Sequence, residues 1–182
     1  MDMQISVTGV EVLEEPSHSD RYRYAGSYVF DGTNYVDTGI CLFEANTINR
    51  DFEISFEIND QSATQVKQAT LISAMDESGS PWPGIVYRFT ADVKQHQIGA
   101  NVNSSIKTEQ NLGINNTKVY IKRTDGVLYL KLNDGDFRKI LDMTSLDKTF
   151  HVPLTIGSSL SNKGVPQRQF TGTLSNVSVT VY

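Results

Sequence analysis

Apolar residues recur at every second position in one stretch of this chain after another, and short polar breaks rich in glycine and aspartate separate the stretches. The cleanest runs from Asp51 to Ile58, where Phe52, Ile54, Phe56 and Ile58 alternate with Asp51, Glu53, Ser55 and Glu57. A period of two sends successive side chains to opposite faces of a strand, so this segment predicts a β-strand with one face buried and one wet. Lys118 to Ile140, KVYIKRTDGVLYLKLNDGDFRKI, predicts a three-stranded antiparallel meander. Asp125-Gly126 and Asp134-Gly135 are expected to supply the positive φ angles that tight hairpin loops need. Val119, Ile121, Leu128, Leu130, Leu132 and Phe137 then fall on one shared face, which the rest of the chain must cover.

The same reading predicts strands at Ile5 to Leu13, Tyr22 to Phe30, Thr70 to Ala74, Ile85 to Ala91, His96 to Asn103, Val152 to Ile156 and over Val177, Val179 and Val181. A turn at Asp31-Gly32 leads into a short strand ending near Ile40, and Leu141 to Lys148 is the one candidate for a helical turn. Strand after strand with turn signals between them and no fixed repeat predicts an all-β, two-sheet antiparallel sandwich, closed by contact between its first and last strands. Residues 1–20 read as an N-terminal strand or arm, and residues 21–182 as a single domain.

Composition narrows the function classes. With 38% hydrophobic residues and only 5 Pro in 182 residues, the chain can bury a core. Its net charge is −5 and its 16 Lys and Arg are scattered, so there is no basic footprint for nucleic acid. No apolar run is long enough to cross a bilayer, and the first residues lack the pattern of a secretion signal. Cys41 is the only cysteine and reads as a small core or edge residue. His18, His96 and His151 are far apart with no paired spacing, which gives zinc or another transition metal no support.

The order FDGTNYVDTGI, DFEISFEI, VYIKRTDGVLYLKLNDG, VPLTIGSS and FTGTLSNVSVTVY, spread over Tyr24 to Tyr182, resembles the laminin-G-like, concanavalin A-like jelly-roll superfamily. The resemblance implies two curved antiparallel sheets whose face or loop rim binds sugars or protein partners, in some members with calcium. Domains of this kind recur in bacteriophage tail and adhesion proteins, so a virion or an extracellular bacterial protein is the expected setting. The superfamily also holds glycoside hydrolases with an E-x-D-x-E or E-x-D-x-x-E strand. Here Asp51, Glu53 and Glu57 form D-x-E-x-S-x-E instead, and they read as a solvated strand face rather than a catalytic pair.

Sugar recognition needs an aromatic plate for a pyranose ring and planar polar groups for its hydroxyls. Trp82, on a loop between two prolines, is the candidate plate, and Arg88, Gln97, Asn101 and Asn103 the candidate polar partners if the two strands that carry them pair. Calcium is a possible cofactor, with Asp37, Asp76, Asp92 and Asn101 in turn-rich surroundings, although such residues usually serve turn geometry. The expectation is a non-catalytic carbohydrate-binding module whose partner is a glycan or cell-surface polysaccharide. A structural domain that binds a neighbouring virion subunit is the alternative, and a glycoside hydrolase or lyase a third.

Overall fold

The computed structural model describes residues 22–45, 48–61, 68–75, 84–90, 95–102, 105–110, 117–143, 151–161 and 164–182. The proposed N-terminal strand and arm, the tryptophan loop and most of the candidate helical turn lie outside these residues. Leu141 and Asp142, which opened that candidate turn, are in a strand.

Fourteen strands are described, and every pairing among them is antiparallel. β1 (Tyr22–Asp31), β3 (Phe52–Gln61), β8 (Thr117–Thr124), β9 (Val127–Leu132), β10 (Arg138–Asp142) and β14 (Thr171–Val181) build one six-stranded sheet in the order β1-β14-β3-β8-β9-β10. β2 (Val36–Asp37), β4 (Gln68–Met75), β5 (Gly84–Thr90), β6 (Gln95–Val102), β7 (Ser105–Gln110) and β11 (Thr155–Ile156) build the second, in the order β2-β11-β4-β5-β6-β7. β12 (Ser159–Leu160) and β13 (Pro166–Gln167) form a separate two-stranded ribbon. The last strand, β14, lies between β1 and β3, while the strand expected at Ile5 to Leu13 lies outside the described residues.

Alternation decides which face each strand buries. In β3 the phenylalanines and isoleucines are buried while Glu53 is exposed and Glu57 half-buried, and in β8 Val119 and Ile121 are buried between exposed or half-buried polar neighbours. The second sheet contributes Leu71, Ile72, Ile85, Tyr87, Ile98 and Ile156 from the other side of the same core. Phe56 meets Tyr87 across the interlayer gap, edge to face with centroids 5.4 Å apart. Such a pair adds about 0.5–1.5 kcal/mol beyond the area it buries.

The meander β8-β9-β10 forms in the expected register, but two details differ. The first turn does use Asp125 and Gly126 at positive φ, whereas in the second it is Asn133 (φ 50) that takes the left-handed conformation, not Asp134-Gly135. Asn133 suits this because its N–H donates to Lys118 O (2.8 Å) and its Oδ1 accepts from Lys118 N (2.9 Å), so a local side-chain bond offsets the cost of the conformation. Phe137 is not in the core. It precedes β10, so strand alternation does not govern it, and it lies outside at 40% exposure under the Lys122 and Lys131 ammonium groups, 4.1 and 5.7 Å from its centroid. Leu132 is only partly buried at the rim of the core.

Gly157 fixes the joint after β11. Its φ is +82, its N–H donates to Leu71 O and its carbonyl accepts from Phe170 N, both at 2.8 Å. A Cβ there would collide with the Phe30 ring, falling 3.0 Å from Cζ and closer still to Cε1 and Cδ1.

Candidate functional site

β5 and β6 pair as the sequence suggested, and their register decides which candidate residues share a surface. Tyr87 stands opposite Ile98, and both belong to the core. The neighbouring positions must therefore face away from it, and these are Arg88 opposite Gln97, Val86 opposite Gly99, and Gly84 opposite Asn101. Arg88 is half-buried on that face while Val86 and Thr70 are buried, and Gln97 and Asn101 stand at the backbone positions paired with Arg88 and Gly84. Trp82 and Asn103 lie outside the described residues.

Arg88 is half-buried on that face. Its Nη1 donates to Gln68 Oε1 at 3.5 Å, a long and weak bond. Its Nη2 would lie 3.7 Å from a Cβ at Gly99, in ordinary van der Waals contact, which places the guanidinium over that position of β6. Thr70 sits directly across the β4-β5 ladder from Arg88, and its Oγ1 is buried without a hydrogen-bond partner among the described residues. A half-buried guanidinium thus stands beside a buried hydroxyl that has no hydrogen-bond partner among the described residues.

The outward face of the other sheet carries a group that sequence reasoning missed. Tyr120 stands opposite Lys131, and Tyr129 opposite Lys122. Lys122 Nζ lies 4.1 Å from the Phe137 centroid and 5.8 Å from that of Tyr129, and Lys131 Nζ lies 5.2 Å from that of Tyr120. The x-Tyr-x-Lys and Tyr-x-Lys alternation in YIK and YLK was the available signal, obscured because Phe137 was assigned inward.

Of the three carboxylates that the sequence sets on this face, Asp51 and Glu57 have cation or amide partners. Glu57 Oε1 is 3.5 Å from Lys118 Nζ, and Glu53 stands opposite Lys122. Asp51 Oδ1 is 3.9 Å from Arg123 Nη1, while its Oδ2 accepts from Asp125 N at 3.2 Å. Glu53 is exposed and Asp51 and Glu57 are half-buried. Arg123 itself is 4% exposed at the end of β8, with Nη1 donating to Arg50 O at 2.7 Å. Desolvation lowers its pKa, and Asp51 works against that shift.

Among the calcium candidates, Asp37 Oδ1 accepts from Gly39 N at 2.8 Å and so serves its own turn. Asp76 and Asp92 are outside the described residues. A different cluster is assembled by the fold. Cys41, Glu44 and His151 place one donor atom each within 4.8 Å of one another, and His151 Nδ1 is 2.6 Å from Glu44 Oε1. Spacing could not reveal this, because backbone pairing brings the two segments together. Burial, with help from a bond to Glu44 and the charges of Glu44 and Asp37, pushes the Cys41 thiol up to about 12.

No protein-family model matches this chain, and no curated protein matches it. Solved structures do. The CBM40 carbohydrate-binding module of the Ruminococcus gnavus IT-sialidase superposes with a TM-score of 0.57 at 15% identity, covering 88% of this chain and 90% of that one. The same module has been solved bound to alpha2,3 and to alpha2,6 sialyllactose. Domains LG4-5 of the mouse laminin alpha1 chain match with a TM-score of 0.56 at 17% identity, over 88% of this chain and 42% of theirs. The NanB sialidase from Streptococcus pneumoniae matches with a TM-score of 0.55 at 8% identity, over 90% of this chain and 26% of the enzyme. At these identities the likeness establishes the fold alone, an antiparallel two-sheet jelly roll of the concanavalin A-like type.

Proposed function

We propose that this chain is a non-catalytic glycan-recognition module that binds an acidic oligosaccharide on the outward face of β4, β5 and β6. The observation that carries the reading is Arg88, half-buried on that face, lying over Gly99 and across the ladder from the unpartnered Thr70 hydroxyl. A guanidinium presents a planar fork that matches a carboxylate, and a buried hydroxyl adds a neutral donor beside it. In this reading Gln97, Asn101 and Asn103 meet sugar hydroxyls and Trp82 supplies the ring plate. Structures of the same fold that were solved with sialyllactose, a carboxylate-bearing sugar, support the choice of ligand class. A virion tail protein or an extracellular bacterial protein is the proposed setting, and calcium a proposed accessory at most; both rest on the family resemblance.

A second face has its own observation in favour. Tyr120, Tyr129 and Phe137 with Lys122 and Lys131 offer rings and cations together on the opposite sheet.

The test is a glycan array with the purified chain, followed by titration with alpha2,3 and alpha2,6 sialyllactose against neutral lactose. Acidic glycans should bind in preference to neutral ones. Arg88→Ala should weaken binding roughly 10- to 100-fold, the equivalent of a charged hydrogen bond worth about 1.5–3 kcal/mol. Absence of binding to any glycan would sink the reading. Binding that survives Arg88→Ala but is lost in Lys122→Ala with Phe137→Ala would move the site to the other sheet.

A further inference from the structure

The segment after β2 and the segment before β11 run side by side. Thr38 N donates to Leu154 O (3.1 Å) and Leu154 N donates to Ile40 O (2.7 Å), which continues the β2-β11 ladder outward. The next residues along each segment carry Cys41 and Glu44 on one side and His151 on the other. Ile48 N donates to Glu44 O at 2.8 Å. Cys41 and Glu44 are half-buried, whereas the His151 side chain is 83% exposed.

We infer that Cys41, Glu44 and His151 form a binding site for a divalent transition ion of the zinc class. The donor set decides the class. One thiolate, one imidazole and one carboxylate are ligands that zinc accepts together, while calcium and magnesium select oxygen. Bond lengths near 2.0–2.3 Å in a tetrahedron require donors about 3.3–3.6 Å apart. The three donors already lie within 4.8 Å of one another, and His151 with Glu44, now at 2.6 Å, must widen by about 1 Å. The exposed imidazole supplies that movement.

On binding, the His151 to Glu44 contact gives way to two metal bonds, and the Cys41 Sγ–H proton passes to solvent as the thiolate takes the third position. A fourth position stays open to water, the pattern of three-ligand sites. The ion would clamp the two segments that flank the outer end of the second sheet.

The test uses the full chain, freed of metal and titrated with Zn²⁺ in competition with a chromophoric chelator, and with Co²⁺ by absorption. One ion per chain should bind, and the cobalt form should show a thiolate-to-metal charge-transfer band. Because Cys41 is the only cysteine, that band has one possible source. Cys41→Ser should abolish the band, and Cys41→Ser and His151→Gln should each weaken zinc binding by about 100-fold or more, beyond the effect of losing an outer-shell partner. His18→Gln and His96→Gln should leave it unchanged. Absence of stoichiometric binding, a cobalt complex without the thiolate band, or undiminished affinity in a folded His151→Gln variant would overturn the proposal.

Discussion

Gly157→Ala is expected to cost roughly 2–5 kcal/mol, and the figure follows from two separate penalties. The first is conformational, because φ is +82 at this residue and an L side chain there costs about 1–2 kcal/mol. The second is steric, because the new methyl would meet the ring of Phe30, itself buried and packed edge-on against Phe170 at 5.9 Å. Overpacking of that kind costs about 1–3 kcal/mol where the neighbour cannot move aside. The sum is a large share of the 5–15 kcal/mol that typically separates folded from unfolded states. With a urea m-value of about 2 kcal/mol/M, the midpoint should fall by about 1–2.5 M. Phe30→Leu in the same background separates the terms: shrinking the ring should recover about 1–2 kcal/mol relative to additivity. A loss below about 1 kcal/mol, or a strictly additive double variant, would refute the argument.

Two further predictions concern residues with unusual surroundings. At the second meander turn, Asn133→Asp keeps both the left-handed preference and the acceptor for Lys118 N and should be close to neutral, while Asn133→Val loses both and should cost roughly 2–3 kcal/mol in chemical denaturation. Equal effects of the two would contradict that account of the turn. Cys41 should react slowly: a shift from 9.0 to about 12, discounted for its partial exposure, leaves roughly a hundredfold less thiolate at pH 8 than in the unfolded chain, measurable by iodoacetamide labelling with and without urea. Because the folded value lies above the unfolded one, the thiol's contribution is intact below about pH 9 and is lost as pH rises towards 12. Cys41→Ser should therefore flatten alkaline destabilisation over that window, and rapid labelling of the folded protein would contradict the prediction.

How far the sequence could be read depended on what governed each residue. Alternation in β3, β8, β9 and β14 is set by one buried face, so Phe52, Ile54, Val119, Leu128 and Val179 declare themselves. The pairing of β5 with β6 was legible for the same reason. Phe137 was misplaced because it lies in the link before β10, where no strand period applies, and it stays 40% exposed beside two lysine ammonium groups. Asn133 was passed over for Asp-Gly because either side chain can support a left-handed residue, and only the bond to Lys118 distinguishes them. Cys41, Glu44 and His151 left no trace in spacing, since the pairing of residues 38–40 with Leu154 is non-local and short.

The most direct examination of the glycan-recognition account is a backbone amide NMR titration of the full chain with the sialyllactose probes. The account predicts saturable shifts concentrated on Thr70, Val86, Arg88 and Gln97 through Asn101, all lost in Arg88→Ala. Spectra that stay unchanged at millimolar sugar, or shifts confined to Tyr120, Lys122, Tyr129 and Lys131, would contradict it.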